Sequence, residues 1–164
     1  NIDSAKIGII GFSAGGHLAA TLSNHFDFIS SGKSTDKKSY RPSFCILVYP
    51  VISMTDKLTH MGSKYSFMGK SPRDEEVHFF SNELQISAEK TPPTLLIHAI
   101  DDAVVIPENS ILYHETLQEN KIPTRLHLMD KGGHGFGIKN AAAPTNSWLN
   151  VTKEWLKDQK IIAH

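Results

Sequence analysis

The chain has 164 residues, a length that one domain accounts for. Hydrophobic residues at 40% and charged residues at 21% place it among ordinary soluble globular chains. A formal net charge of +0 gives no electrostatic case for nucleic acid or an anionic membrane surface as a partner. The single cysteine, Cys45, excludes an intrachain disulfide and leaves the redox compartment open. No apolar run reaches the length of a transmembrane helix, and no signal peptide is visible. The chain opens at Asn1 without an initiator Met, so Asn1 is expected not to be where translation began, and the cellular compartment stays open.

Lys6 to Ile10 (KIGII) reads as a buried strand closed by Gly11. Ser13 to about Asn24 reads as a helix, with small residues first and then Leu18, Ala19, Ala20 and Leu22. Ser30 to Ser43 is polar, holds Gly32 and Pro42, and reads as a loop. Phe44 to Tyr49 (FCILVY) is a second buried strand, stopped by Pro50, and its Cys45 is expected to be a buried, inert thiol. The segment 52–93 has no clean period and reads as a lid-like insert. Its charged patch Arg73–Glu76 is placed to open a short helix. Thr94 to Ile100 is a third strand. Pro107 to Asn120 is a helix, with Pro107 suited to its first turn. Thr124 to Met129 alternates as a fourth strand, Gly132 to Gly137 is a glycine-rich loop, and Asn146 to Lys160 is a terminal helix. Trp148 and Trp155 fall on the apolar face of that helix, which reads them as core residues rather than sugar platforms. Strands alternating with helices imply one α/β domain over residues 1–164, built on a parallel sheet with helices on both faces.

The motif that carries chemistry is Gly11-Phe12-Ser13-Ala14-Gly15, followed by Gly16. By chance G-x-S-x-G should arise in roughly 5% of chains of this length. Here it also falls between an expected strand and an expected helix, the setting of a nucleophile elbow. The sharp turn would lift the Ser13 hydroxyl above the sheet, and the Ala14 N–H at the helix start would serve as one oxyanion-hole donor. No G-K-[ST] follows, which argues against a phosphate loop.

A serine nucleophile needs a base, and His134 lies in a glycine loop directly after the last strand. His98 and His127 sit inside strands, and His17 on the first helix reads as a buried, hydrogen-bonded residue. His25, His60, His78, His114 and His164 read as surface or insert residues. The base needs an acid to fix its tautomer, and Asp101-Asp102 follows the third strand. Either carboxylate could serve; Asp101 is expected to cap the next turn. Ser13, Asp102 and His134 then fall in the chain order of α/β-hydrolases rather than that of chymotrypsin or subtilisin. A metal site is not expected: there is no H-E-x-x-H, no Cys pair and no cluster at ligand spacing.

Gly11–Ala19 (GFSAGGHLA), Pro92–Ser110 (PPTLLIHAIDDAVVIPENS) and Gly132–Gly137 (GGHGFG) together resemble the esterase/lipase branch of the α/β-hydrolases. Within it the resemblance is to bacterial esterases often labelled acetyl-xylan, feruloyl or xylanase-associated, and it runs from about Lys6 to the terminal helix. That resemblance implies a three-layer α/β-hydrolase fold, here its C-terminal half with about four parallel strands. It implies Ser13 as nucleophile, His134 as general base, a serine esterase activity and no cofactor. The family's D-x-x-V-P element matches at Asp102 and Val105, with Ile106 before Pro107, which favours Asp102 over Asp101 as the acid.

The same resemblance places the elbow after the fifth of about eight strands, whereas here it follows the first. The N-terminal strands of the fold, and the loop supplying a second oxyanion N–H, have no counterpart in this sequence. The first strand's edge is therefore expected to be open to a homodimer or to a partner supplying the other half. The expected substrate is a small-molecule or carbohydrate ester, with Tyr49, Pro50 and Val51 lining its pocket under the insert. Two other readings stand beside the esterase. One is a non-catalytic hydrolase remnant, motivated by the absent oxyanion loop. The other is a serine peptidase of the prolyl-oligopeptidase type, ranked lower because the AGGHLA and GGHGFG details are more esterase-like.

Overall fold

A parallel sheet of four strands in the order β1-β2-β3-β4 organises the computed structural model, which describes residues 3–30, 40–55, 57–138 and 146–163. The strands are β1 (Ile9–Phe12), β2 (Cys45–Val48), β3 (Thr94–Ala99) and β4 (Thr124–Met129). The helices are α1 (Ala14–Ser30), α2 (Met61–Met68), α3 (Asp74–Phe80), α4 (Glu108–Glu119) and α5 (Asn146–Asp158). Every sheet pair is parallel, with Ile9 opposite Cys45, Cys45 opposite Thr94 and Thr94 opposite Thr124.

The two central strands are buried along their whole length, as continuous apolar runs in a parallel sheet must be. Their period of two splits the core. Cys45, Leu47 and Leu96 pack with Ala19 and Ala20 of α1 and with Tyr113 and Leu117 of α4. Ile46, Val48, Leu95 and Ile97 face the other way and pack on Trp148 and Trp155 of α5. The result is three layers, helices on both faces of one sheet. The two tryptophans are 1% and 2% exposed, so they are core residues, as their spacing predicts.

The expected elements are present with shifted ends. The first strand begins at Ile9 rather than Lys6, because Ser4–Lys6 forms a 3-10 turn whose N–H at Ala5 is taken by the Asp3 side chain. The first helix continues past Asn24 to Ser30, with a kink at His25 (φ −122°, ψ 25°). The loop expected from Ser30 to Ser43 lies, over 31–39, outside the described residues, as does His164. Among the described residues no helix is long and apolar enough to cross a membrane.

The described residues between β2 and β3 are held by apolar packing and by a buried polar network. Val51, Met54 and Val105 form a cluster with Met68 of α2 and Val77 and Phe80 of α3. Asn82, at the start of a 3-10 turn, donates to the Thr21 hydroxyl at 3.1 Å and to the His17 carbonyl at 3.4 Å, both on α1. Asn24 on α1 donates back to the Asn82 carbonyl, and Thr91 and Tyr113 donate to the Asn24 side-chain oxygen. These groups are away from water, so each bond lost leaves a buried donor or acceptor bare. Asn82→Ala is therefore expected to lower the unfolding free energy by about 1–3 kcal/mol, read as a lower urea midpoint. An unchanged midpoint would show that the network carries no stability.

Candidate active site

The turn from β1 to α1 puts Ser13 in the left-handed region, at φ 52°. A serine rarely adopts that conformation, and its surroundings hold it there. The Ser13 N–H donates to the Val48 carbonyl of β2 at 3.0 Å. The Ser13 carbonyl accepts from Val51 at 3.1 Å and from Gly16 at 2.9 Å. Two of the motif's glycines are there for close approach. A Cβ on Gly11 would press on the Gly15 carbonyl oxygen, and one on Gly16 would lie 2.7 Å from the Pro50 Cβ. A Cβ on Gly15 would meet open space, so crowding does not require glycine there.

From this turn the Ser13 hydroxyl reaches His134 Nε2 at 2.8 Å, and His134 Nδ1 reaches Asp102 Oδ2 at 2.7 Å. The three residues named from the sequence thus form one hydrogen-bonded chain. They come from the ends of β1, β3 and β4. The Asp102 side chain has no exposed surface, and that of His134 is 18% exposed. Burial alone would raise the Asp102 carboxyl. Its bonds from His134 and from the Val105 and Val104 N–H groups, with the nearby His134 charge, outweigh burial and hold it below the ordinary carboxylate value. Ala14 opens α1, where the first N–H groups have no acceptor within the helix, and it is exposed beside Ser13.

The two aspartates divide their work differently from the sequence expectation. Asp101 does not cap the following turn. Its Oδ1 accepts from Gly132 at 2.9 Å and Gly133 at 2.7 Å, which ties the glycine loop to the end of β3. Asp102 caps the turn, since its Oδ1 accepts from Val104 and Val105, both at 2.9 Å. Gly133, Gly135 and Gly137 have φ of 59°, 78° and 51°, so the loop bends through conformations that glycine adopts freely. Phe136 is its buried anchor.

Tyr49, Pro50 and Val51 are not among the walls of the cavity beside Ala14. All three are buried, and Val51 is 0% exposed inside the cluster beneath the insert. The Tyr49 ring instead meets His134 edge-on, with centroids 4.9 Å apart, and Phe136 at 4.5 Å. The cavity of about 790 Å³ beside Ala14 is walled by His17, Leu18, Met54, His60, Phe67 and Phe80. Sequence reading missed these walls because they come from α1, α2 and the end of α3, which only the insert's packing brings together. His17 is buried on α1 and pairs with the Phe80 carbonyl at 2.8 Å, as its place in the helix suggests. Cys45 is buried, and its thiol is pushed up to about 12 by burial, which makes it a poor nucleophile. No group of three His, Cys, Asp or Glu among the described residues could hold a metal ion.

Burial also holds the His17 and His98 imidazoles below the ordinary histidine value of 6.5. As pH falls through that value the unfolded chain takes up protons that the folded chain resists. The stability contributed by these two neutral side chains is complete above about 6.5 and is lost below it. The melting temperature is expected to fall between pH 7.5 and 5.5, and less steeply in His17→Gln. Equal slopes in the two proteins would remove His17 from the account.

Comparison with known proteins supplies the family context. Residues 1–160 match the prolyl oligopeptidase family. A protein described as endo-1,4-beta-xylanase B of Butyrivibrio fibrisolvens is 40% identical over 141 residues, covering 85% of this chain and 22% of its own length. An acetylxylan esterase of Xylanibacter ruminicola is 32% identical over 160 residues, covering 96% of this chain and 31% of its own. The crystal structure of an acetyl ester-xyloside bifunctional hydrolase from Caldicellulosiruptor lactoaceticus superposes with a TM-score of 0.90 at 36% identity. That superposition covers 99% of this chain and 60% of the other. The chain thus spans less than a third of either curated relative. The α/β-hydrolase fold and the likeness to xylan-associated esterases, both expected from the sequence, are borne out.

Proposed function

The chain belongs to the prolyl oligopeptidase family of α/β-hydrolases, and from that premise we propose that it is the catalytic half of a serine esterase. The observation that carries the proposal is the hydrogen-bonded chain Ser13–His134–Asp102, with Ser13 held at φ 52° on the elbow. His134 Nε2 takes the Ser13 proton as Oγ bonds to the ester carbonyl carbon. Charge builds on the carbonyl oxygen, next to the Ala14 N–H. The carbon–oxygen bond to the alcohol then breaks, and the proton on His134 leaves with that alcohol. A water molecule gives a proton to His134 and attacks the acyl-enzyme, and the released Ser13 recovers its proton as the acid departs. Asp102 holds His134 in the tautomer that keeps Nε2 free to accept, and no cofactor enters these steps.

The substrate class we assign is a carboxylic ester, with carbohydrate acetyl esters foremost, since the relatives are named as acetylxylan esterase and acetyl ester-xyloside hydrolase. The cavity beside Ala14 is the place for the acyl or alcohol group, with α2 of the insert as one wall. The edge of β1 supports a further reading, that added strands from a second copy or a partner complete the sheet and bring the second oxyanion donor. Ile10 on it is 48% exposed, and Ile7, just before the strand, is 53% exposed. The family's name keeps a peptidase in view, and parallel assays on an ester and an amide of the same acyl group decide between the two.

Ser13→Ala is expected to reduce hydrolysis of p-nitrophenyl acetate by at least about 10³-fold, with folding unchanged by circular dichroism. Equal rates for the two proteins would end the proposal. Asp101→Ala, which releases the loop carrying His134, is expected to lower turnover between about ten- and a hundredfold. A change confined to KM would instead place Asp101 at substrate binding.

A further inference from the structure

Behind Asp102 stands a second imidazole that the steps above do not use. His98, on β3, and Asp102 both have fully buried side chains. His98 Nε2 lies 2.8 Å from the Val105 carbonyl oxygen and 3.3 Å from Asp102 Oδ2. His98 Nδ1 lies 2.7 Å from the Ser110 hydroxyl on α4. A carbonyl can only accept, so Nε2 carries the ring proton, and Nδ1 accepts from the Ser110 hydroxyl. Burial, outweighing the Val105 carbonyl and the Asp102 charge, keeps this ring neutral near neutral pH.

We propose that His98 and Ser110 are positioning residues for the triad: Ser110 donates to His98 Nδ1 and strengthens the ring as a donor, and the His98 Nε2–H sets how firmly Asp102 holds His134. The proposal rests on the esterase reading of the same site. Its geometric basis is a closed circuit of contacts, two hydrogen bonds and one 3.3 Å approach. Asp102 Oδ1 accepts from the Val105 N–H, and the Val105 carbonyl accepts from His98. Asp102 Oδ2 accepts from His134 on one side and faces the His98 N–H on the other. The Oδ2 charge therefore acts both on the His134 bond and on the His98 N–H that approaches to 3.3 Å, and each weakens the hold of the other.

The other ionisable groups near Asp102 are Asp101 and Tyr49. Asp101 spends its carboxylate on the glycine loop. The Tyr49 phenol is pushed above its ordinary value, first by burial and also by the Asp102 charge. Neither offers Asp102 a replacement for the His98 N–H. Removing that donor leaves more of the Oδ2 charge to His134, so the His134–Asp102 bond tightens. Removing the Ser110 hydroxyl acts in the same direction, because a ring whose Nδ1 no longer accepts a hydrogen bond is a weaker donor at Nε2.

The test uses the full chain with ¹⁵N-labelled histidine, comparing Ser110→Ala and His98→Phe with the unsubstituted protein. The His134 Nδ1–H proton resonance is expected to move downfield in both variants. The acid limb of kcat/KM on p-nitrophenyl acetate, which reports the essential base, is expected to move to higher pH by about threefold in proton affinity. Leu117→Ala, buried on the same helix, serves as the reference for purely structural damage and is expected to lower the melting temperature while moving neither signal. If His98→Phe does not fold, Ser110→Ala decides alone. An unmoved resonance and acid limb in folded Ser110→Ala overturn the proposal. Failure of the esterase reading is a separate result, full hydrolysis by Ser13→Ala, and the resonance still reports on His98 in that event.

Discussion

A carboxylate with no exposed surface, Asp102, is the constraint on which the site depends. An isolated buried charge of this kind is too costly to persist, so partners must surround it. Two backbone N–H groups take one oxygen, while His134 and His98 meet the other. Those partners come from the turn after β3, from β3 itself and from the loop after β4. Compensating one charge thereby fixes the turn, the loop and the orientation of the imidazole that reaches Ser13. Asp101 reinforces the same result from the neighbouring position by holding the Gly132 and Gly133 N–H groups.

The sheet makes this convergence available. Because all four strands run parallel, their C-terminal ends share one edge of the sheet, and residues far apart in the chain meet there. Ser13 and His134 are 121 residues apart in sequence and 2.8 Å apart in space. The helices on either face bury the apolar alternation of β2 and β3 and leave that edge to polar side chains. The strained Ser13 turn is tolerated because it is bound from β2 on one side and by α1 on the other.

Several residues were legible before the structure, each for a local reason. Gly11-x-Ser13-x-Gly15 at a strand–helix junction is a sequence-local pattern, and so is a histidine among glycines at a strand's end. The apolar runs of β2 and β3 and the tryptophan spacing on α5 read correctly because burial on a regular element has a fixed period. Their position at a strand end did not tell Asp101 and Asp102 apart; only the family resemblance at Asp102 and Val105 did. Their roles depend on which carboxylate the returning loop meets, a contact with residues more than thirty positions away. Of Tyr49, Pro50 and Val51, only Tyr49 meets the hydrogen-bonded chain, through the edge of its ring against His134. The Tyr49 backbone is left-handed (φ 40°), and Val51 beyond it is buried in the apolar cluster with Met54 and Val105.

The sequence alone determined the strand–helix alternation, the elbow at Ser13 and the glycine-flanked His134, since each is encoded in a short window of periodicity or glycine placement; Asp102 was singled out by the family resemblance. Tertiary structure decided how those residues are held. The loop tether at Asp101, the edge-on packing of Tyr49 on His134, the His98–Ser110 pair behind Asp102 and the cavity between α1 and the insert all join distant segments. Such pairings are selected by mutual burial and by the need to satisfy buried polar groups, and neither operates until the sheet has assembled.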